Sequence, residues 1–195
     1  MVGLPFESRA AGVGFGVAVL VFVLDELWIA LRTAGSRAPR RDRGSRAVIS
    51  LGIFLGVFLA VQASSRWSGG TLPWPWLPYV VGATLVVVGV TIRAWAVVAL
   101  GRWFTTVVRV AADQQVVSDG PYRWVRHPSY LGLLVTLAGL GLMLTDWLSL
   151  VLAVLLPLAT LVWRIRLEER ALGEGLGEAY AAYAAGRKRL LPGVW

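Results

Sequence analysis

The sequence contains no cysteine and a single histidine, His127. The first absence excludes disulfides, thiolate catalysis and cysteine-ligated zinc or iron–sulfur centres. The second leaves too few imidazoles for an all-protein metal cage, so no metal site is expected. Acidic residues are scarce too, 11 against 19 basic ones, and charged residues make up only 15% of the chain. A soluble domain carries about a quarter charged residues. No cleavable signal peptide is expected, because Glu7 and Arg9 precede the first apolar run and no small-residue cleavage site follows it.

What fills the chain instead is apolar sequence. Hydrophobic residues are 57% of the total and the mean hydropathy is +0.67. They gather in long runs, and about 20 apolar residues suffice to cross a bilayer as a helix. The fold class expected is therefore an all-α integral membrane protein with about five transmembrane helices. Three spans come first: Ala11–Leu31, Ala47–Ser64 and Tyr79–Leu100. Two shorter runs, Leu131–Thr145 and Trp147–Trp163, break at Asp146 and read as a helical hairpin, with Pro157 as a candidate kink in its second arm. Arg166–Gly186 reads as a separate amphipathic interfacial helix, and the closing LLPGVW as an interfacial anchor. Residues 1–100 would form a scaffold that shapes an acceptor tunnel, and residues 101–195 a cofactor-binding region.

The excess of arginine sets the orientation. The loop Arg32–Arg46 holds six arginines and one aspartate, which places it in the cytoplasm by the positive-inside rule. The loop Ser65–Pro78 carries three tryptophans and one charge, which suits the outer face. The N-terminus is then outside and the C-terminus inside, and 16 of the 19 basic residues fall on the cytoplasmic side, all but Arg9, Arg66 and Arg93. Nucleic acid is not an expected partner, since the basic loop is short and lacks interleaved aromatics. Membrane lipids are. Glycines at 12, 14 and 16 suggest a dinucleotide fingerprint, but no strand precedes them and Val17 occupies the sixth position. Asp25 and Glu26 are costly at membrane depth and are expected near the cytoplasmic end, where the arginines that follow neutralise them; Arg93 is expected either to snorkel toward the cytoplasm or to pair inside the bundle, with Asp25 or Glu26 as partner.

Polar chemistry concentrates in two stretches, Gly120–Gly132 (GPYRWVRHPSYLG) and Arg164–Leu172 (RIRLEERAL). Because a hairpin returns the chain to the side it left, both meet at one surface. This gathers Tyr122, Arg123, Arg126, His127, Tyr130, Arg164, Arg166, Glu168 and Glu169. Arg164 and Glu168, four apart, share a helix face. Pro128 at the start of a helix pushes His127 out of the α region, beside free backbone N–H groups.

These two stretches, followed by GEAYAAY, resemble the isoprenylcysteine carboxyl methyltransferase family over about Phe104–Pro192. The resemblance implies S-adenosylmethionine as cofactor. It assigns cofactor binding to Tyr122, His127, Pro128, Ser129, Tyr130 and Glu168, with the stretch Gln114, Gln115, Val116 and Val117, and it makes Arg164 the catalytic residue that binds the acceptor carboxylate. The chain departs from the family's pattern at Gln114 or Gln115, where a histidine is frequent, and at Arg109. The acceptor implied is a prenylated or other lipophilic molecule, and the setting the cytoplasmic membrane of a prokaryote, as a monomer or homodimer. Three other readings stay open at this point: a phospholipid or amine N-methyltransferase, an NADPH-dependent membrane reductase, and a non-catalytic scaffold.

Overall fold

The computed structural model describes residues 3–33, 44–67, 70–106, 110–111, 113–191 and 193–195. Arg109, Pro192 and residues 34–43 of the arginine-rich loop lie outside them. The described residues are almost wholly helical, with two isolated bridges and no strand among them. A single turn, α1 (Leu4–Glu7), leads into α2 (Arg9–Thr33). Then come α3 (Ser45–Arg66), α4 (Trp76–Leu100), α5 (Pro128–Met143) and α6 (Trp147–Ala185). Helices α2, α3, α4 and α6 are long and apolar enough to cross a membrane, and α5 is a shorter apolar helix. The protein is an all-α, multi-pass integral membrane protein.

Small residues decide which helices meet. Helices α4 and α5 pack most closely, glycine against glycine. A Cβ on Gly132 would stand 2.7 Å from the Gly89 carbonyl oxygen and 2.8 Å from the Arg93 nitrogen. In a membrane, where apolar surface gains little by leaving lipid, such close backbone approach is what holds helices together. Helix α3 lies along α6 by the same means, with Gly52 against Thr160 and Gly56 against Pro157. Helix α2 packs on α4 and α5, pinned by the Tyr79 hydroxyl, which donates to the Ala11 carbonyl at 2.7 Å.

The hairpin is present, but its second arm differs from the reading of the sequence. Helix α6 runs on from the apolar arm into the amphipathic segment without a boundary near Arg166, and Pro157 sits within helical backbone. The one interior break is Gly177, at φ 54° and ψ −131°. Such a conformation strains any residue with a Cβ, so a glycine is required here. Pro157 keeps helical dihedrals, and its ring lies against Gly56 of α3.

The hairpin tip is closed by backbone-directed bonds. Asp146 caps α6 by accepting from the Ser149 nitrogen at 2.9 Å. Ser149 Oγ donates to the Ala60 carbonyl at 2.8 Å, Ser64 Oγ to the Leu144 carbonyl at 2.9 Å, and the Leu4 nitrogen donates to Thr145 Oγ1 at 2.8 Å. The opposite end, where α2 and α4 finish and α3 and α5 begin, is open.

Candidate functional site

The stretch from Gly120 forms a 3-10 turn, Gly120–Arg123, that buries Pro121 and Tyr122. The segment after it is held by the C-terminus: the Arg126 nitrogen donates to the Lys188 carbonyl at 2.9 Å, and the His127 nitrogen to the Arg189 carbonyl at 3.0 Å. The terminal residues therefore brace the site loop, in addition to any anchoring role, with Leu190 buried and Arg189 over the Trp195 ring. His127 has φ −125° and ψ 61°, outside the helix that Pro128 begins.

Two adjacent glutamates of α6 divide the polar cluster. Glu169 takes Arg126 Nη1 at 2.6 Å, Arg189 Nε at 2.8 Å and His127 Nε2 at 3.4 Å. Glu168 accepts from the Tyr130 hydroxyl at 2.7 Å and lies 3.9 Å from Arg164 Nε. The Tyr130 ring stacks on His127, centroids 5.6 Å apart at 19°. Glu168 thus keeps a free face, whereas Glu169 is enclosed by cations.

That free face looks into a cavity. One wall is mainly polar, with Gln114, Gln115, Tyr122, Arg126, His127, Ser129, Tyr130 and Glu168, joined by Tyr180 and Tyr183 of α6 and interleaved with Val116 and Val117. Its apolar wall is Ile29 and Ala30 of α2, Ile49 and Ile53 of α3, Leu133 of α5, Leu100 at the end of α4, and Trp103 and Phe104 beyond it. Helices α2 and α3 are consecutive and both line the cavity, yet they pack on other helices and hardly on each other.

Of the residues to which the resemblance assigns cofactor or acceptor binding, the cavity gathers all but two. Pro128 is buried at the start of α5 and does not line the cavity. Arg164 is 1% exposed and stands behind the wall. Each nitrogen of its guanidinium has a partner: Nη1 donates to Ser45 Oγ, Nη2 to the Thr106 carbonyl at 3.1 Å, and Nε to the Tyr130 hydroxyl at 3.3 Å. Of the surface arginines in the cluster, Arg123 lies over the Trp124 ring and Arg166 is exposed, and neither lines the cavity.

Other cavity residues escaped the reading of the sequence. Tyr180 and Tyr183 reach the site only because α6 breaks at Gly177; their sole signal was the tyrosine spacing in GEAYAAY. Tyr183 Oη donates to the Tyr122 carbonyl at 2.9 Å. Among the described residues the buried Tyr180 hydroxyl makes no hydrogen bond of regular geometry, although Arg126 stands close to it. Glu26 and Arg93 also line the cavity, joined by an ion pair, with Asp25 Oδ2 3.5 Å from Arg93 Nη1. Arg93 therefore pairs inside the bundle. Burial, reinforced by the Glu168 carboxylate, raises the Tyr122 hydroxyl well above its ordinary pKa, so it stays protonated and serves as a donor.

Comparison with known proteins bears on the same region. Residues 81–174 match the model of the isoprenylcysteine carboxyl methyltransferase (ICMT) family, so the resemblance read from the sequence is real. The chain is 38% identical over 111 residues, 56% of its length and 58% of the relative's, to an Oryza sativa subsp. indica protein named "Probable protein-S-isoprenylcysteine O-methyltransferase". It is 36% identical over 106 residues, 53% of this chain and 44% of the relative, to the protein-S-isoprenylcysteine O-methyltransferase of Saccharomyces cerevisiae. The chain spans about half the length of the curated relatives it matches. Among solved structures, it shares the fold of a eukaryotic intramembrane Ras methyltransferase, isoprenylcysteine carboxyl methyltransferase. The TM-score is 0.66 at 21% identity, over 93% of this chain and 67% of the other.

Proposed function

We propose that this chain, whose residues 81–174 carry the isoprenylcysteine carboxyl methyltransferase family model, is an S-adenosylmethionine-dependent methyltransferase. Its acceptor is the carboxylate of an S-prenylated cysteine or a similar lipophilic acid. The observation that carries this reading is one cavity with a carboxylate and tyrosines on one wall and bilayer-spanning apolar helices on the other.

The residues present fit such a cofactor. S-adenosylmethionine supplies a methyl group already activated by a positive sulfur. Glu168 and the rings of Tyr122, Tyr180 and Tyr183 favour a cation between them. The buried Tyr180 hydroxyl, which makes no regular hydrogen bond among the described residues, is a group that a polar ligand atom would satisfy. Tyr130 and Arg164 hold Glu168 from behind, so its carboxylate is oriented before anything binds.

An acceptor carboxylate is ionised at neutral pH, so no strong base is needed. His127 fits that economy. Its Nε2 faces Glu169, and its ring supports Tyr130, which makes it a positioning residue. Catalysis then rests on alignment of two reactants in a cavity partly walled by apolar side chains. The lipid chain arrives from the bilayer through the space between α2 and α3. The cofactor comes from the opposite, polar side, which the distribution of arginine assigns to the cytoplasm. Residues 1–100 then furnish most of the acceptor wall, completed by Trp103, Phe104 and Leu133, and residues 101–195 furnish the cofactor wall.

The test is calorimetric titration of S-adenosylmethionine, S-adenosylhomocysteine and NADPH into detergent-purified protein, with Glu168→Ala as control. Saturable binding of the first two, lost in the variant, is the expected result. Binding of NADPH alone would overturn the reading in favour of a reductase. Turnover is then measured on an N-acetylated S-farnesyl cysteine against a phospholipid amine, and methylation of the amine alone would overturn the carboxylate assignment.

A further inference from the structure

One charged pair interrupts the apolar side of the cavity. The cavity residues of α2 are Glu26, Ile29 and Ala30, and those of α4 are Arg93 and Leu100. Glu26 and Arg93 stand deepest in each set. They lie two helical turns before the helix ends at Thr33 and Leu100, about 10 Å along the axis. Ile53 of α3 and Leu133 of α5 line the same cavity. An ionisable side chain at membrane depth is costly, and one turned toward a cavity points to a ligand.

Two acids meet one guanidinium here. Asp25 and Glu26 both reach Arg93 Nη1, Asp25 through Oδ2 at 3.5 Å and Glu26 through Oε1. Neutralising Arg93 takes one of them, and Asp25, only 7% exposed, is the one enclosed by protein. Glu26 is the surplus. Its side chain is 39% exposed and lines the cavity, and among the described residues it bonds through Oε1 alone. Arg93 is buried and lines the cavity beside it, and its Nε has no hydrogen-bond partner among the described residues. The pair thus combines an accepting oxygen and a donating nitrogen in apolar surroundings. The surplus negative charge repels the carboxylate of a methyl acceptor, and the guanidinium repels an amine. What suits the pair is a neutral group that both donates and accepts, and the smallest such group is a hydroxyl.

Resting on the methyltransferase reading above, we infer that the Glu26–Arg93 pair is a specificity subsite that recognises a hydroxyl on the hydrocarbon chain of the methyl acceptor. The preferred substrate is then a hydroxylated lipophilic acid rather than one with a plain prenyl chain. The hydroxyl donates to Glu26 and accepts from Arg93. A plain chain laid over the pair takes water from a carboxylate and offers no bond in return, so the site disfavours the analogue that lacks the hydroxyl.

The experiment compares N-acetylated S-farnesyl cysteine with three analogues that carry one hydroxyl on the first, second or third isoprene unit. Each is assayed with wild type, Glu26→Gln and Glu26→Leu. The readouts are kcat and KM for each acid and the dissociation constant of S-adenosylhomocysteine. Wild type should prefer one hydroxylated acid over the plain one by about tenfold or more in kcat/KM, the amount one hydrogen bond to a charged group contributes. Glu26→Leu should abolish that preference through KM and leave cofactor affinity unchanged, because Asp25 still neutralises Arg93. Glu26→Gln, which can still accept, should keep part of it. Wild type that methylates the plain acid and gains nothing from any hydroxyl overturns the inference and leaves the methyltransferase reading standing. A leucine variant that keeps the preference does the same. Wild-type protein that binds no S-adenosylhomocysteine and methylates none of the acids overturns both.

Discussion

The two polar ends of this helical bundle use similar residue types to opposite ends. At the hairpin tip, Asp146, Ser149, Ser64 and Thr145 are all buried and all direct hydrogen bonds to backbone groups. Those bonds satisfy helix termini that would otherwise be stranded in a low-dielectric setting. At the other end, Glu168, Glu169, Tyr130, His127 and Arg164 bond mainly to side chains, one another and Arg126, Arg189 and Ser45, with the Thr106 carbonyl as a backbone partner of Arg164, and several turn a remaining face to a cavity. Side chains tied to backbone stabilise a fold. Side chains tied to other side chains around a cavity are held in place for a further partner. The contrast separates scaffold from site more sharply than composition does, because both ends are buried and polar.

Substitutions at the two ends should therefore fail differently. The largest effect is expected for Arg164→Ala, which removes donors to Ser45, Thr106 and Tyr130 and the counter-charge of Glu168. Losing two or more charge-assisted bonds should lower kcat/KM by at least ~100-fold. A matched loss of kcat, with cofactor affinity reduced as well, would mark it as a positioning residue. Next comes Glu168→Gln, which keeps a hydrogen-bonding side chain and removes the charge. Cofactor affinity by calorimetry should fall about tenfold or more while the unfolding midpoint stays close to wild type. A large fall in midpoint with unchanged affinity would place Glu168 with the tip residues and erase the distinction.

Much of this was legible in the sequence, for identifiable reasons. Long apolar runs interrupted by arginine, proline and aspartate left little doubt about the spans, and the hairpin at Asp146 followed from run length. The same hairpin brings Gly120–Gly132 beside Arg164–Leu172, so Tyr122, His127, Ser129, Tyr130 and Glu168 reach one cavity as expected. What could not be read depends on three-dimensional consequence. Nothing in a string of glycines announces that Gly177 takes a positive φ and turns Tyr180 and Tyr183 back under Tyr122. The side of a helix that Arg164 faces is visible, but whether its guanidinium is already engaged depends on Ser45, 119 residues away.

At the tip the expected effect is smaller and purely structural. Asp146→Ala removes an N-cap and should cost about 1 kcal/mol of stability. The unfolding midpoint should drop while kcat/KM and cofactor affinity, measured well below it, stay at wild-type values. Among the described residues the Asp146 Oδ2 atom has no hydrogen-bond partner, so Asp146→Asn should be better tolerated than alanine, since it keeps the accepting oxygen toward Ser149. A tip variant that changed turnover at constant stability would show that the two ends are coupled through the hairpin.

The smallest effect concerns pH, and it belongs to the site end alone. Tyr122 is buried beside Glu168, and both features disfavour its phenolate, burial the more strongly. Its folded pKa lies above that of the unfolded chain, which is about 10. The stabilising contribution of this difference is fully present below pH 10 and is lost as the pH rises through the folded value. Turnover should consequently show no alkaline limb from Tyr122 between pH 7 and about 9.5, where the hydroxyl stays protonated in both states. Above about pH 10 the wild-type unfolding midpoint should decline more steeply than that of Tyr122→Phe, which has no proton to lose there. If Tyr122→Phe and wild type lost stability in parallel above that pH, the phenol would not be buried against a carboxylate, and the enclosed character of the site end would have to be given up.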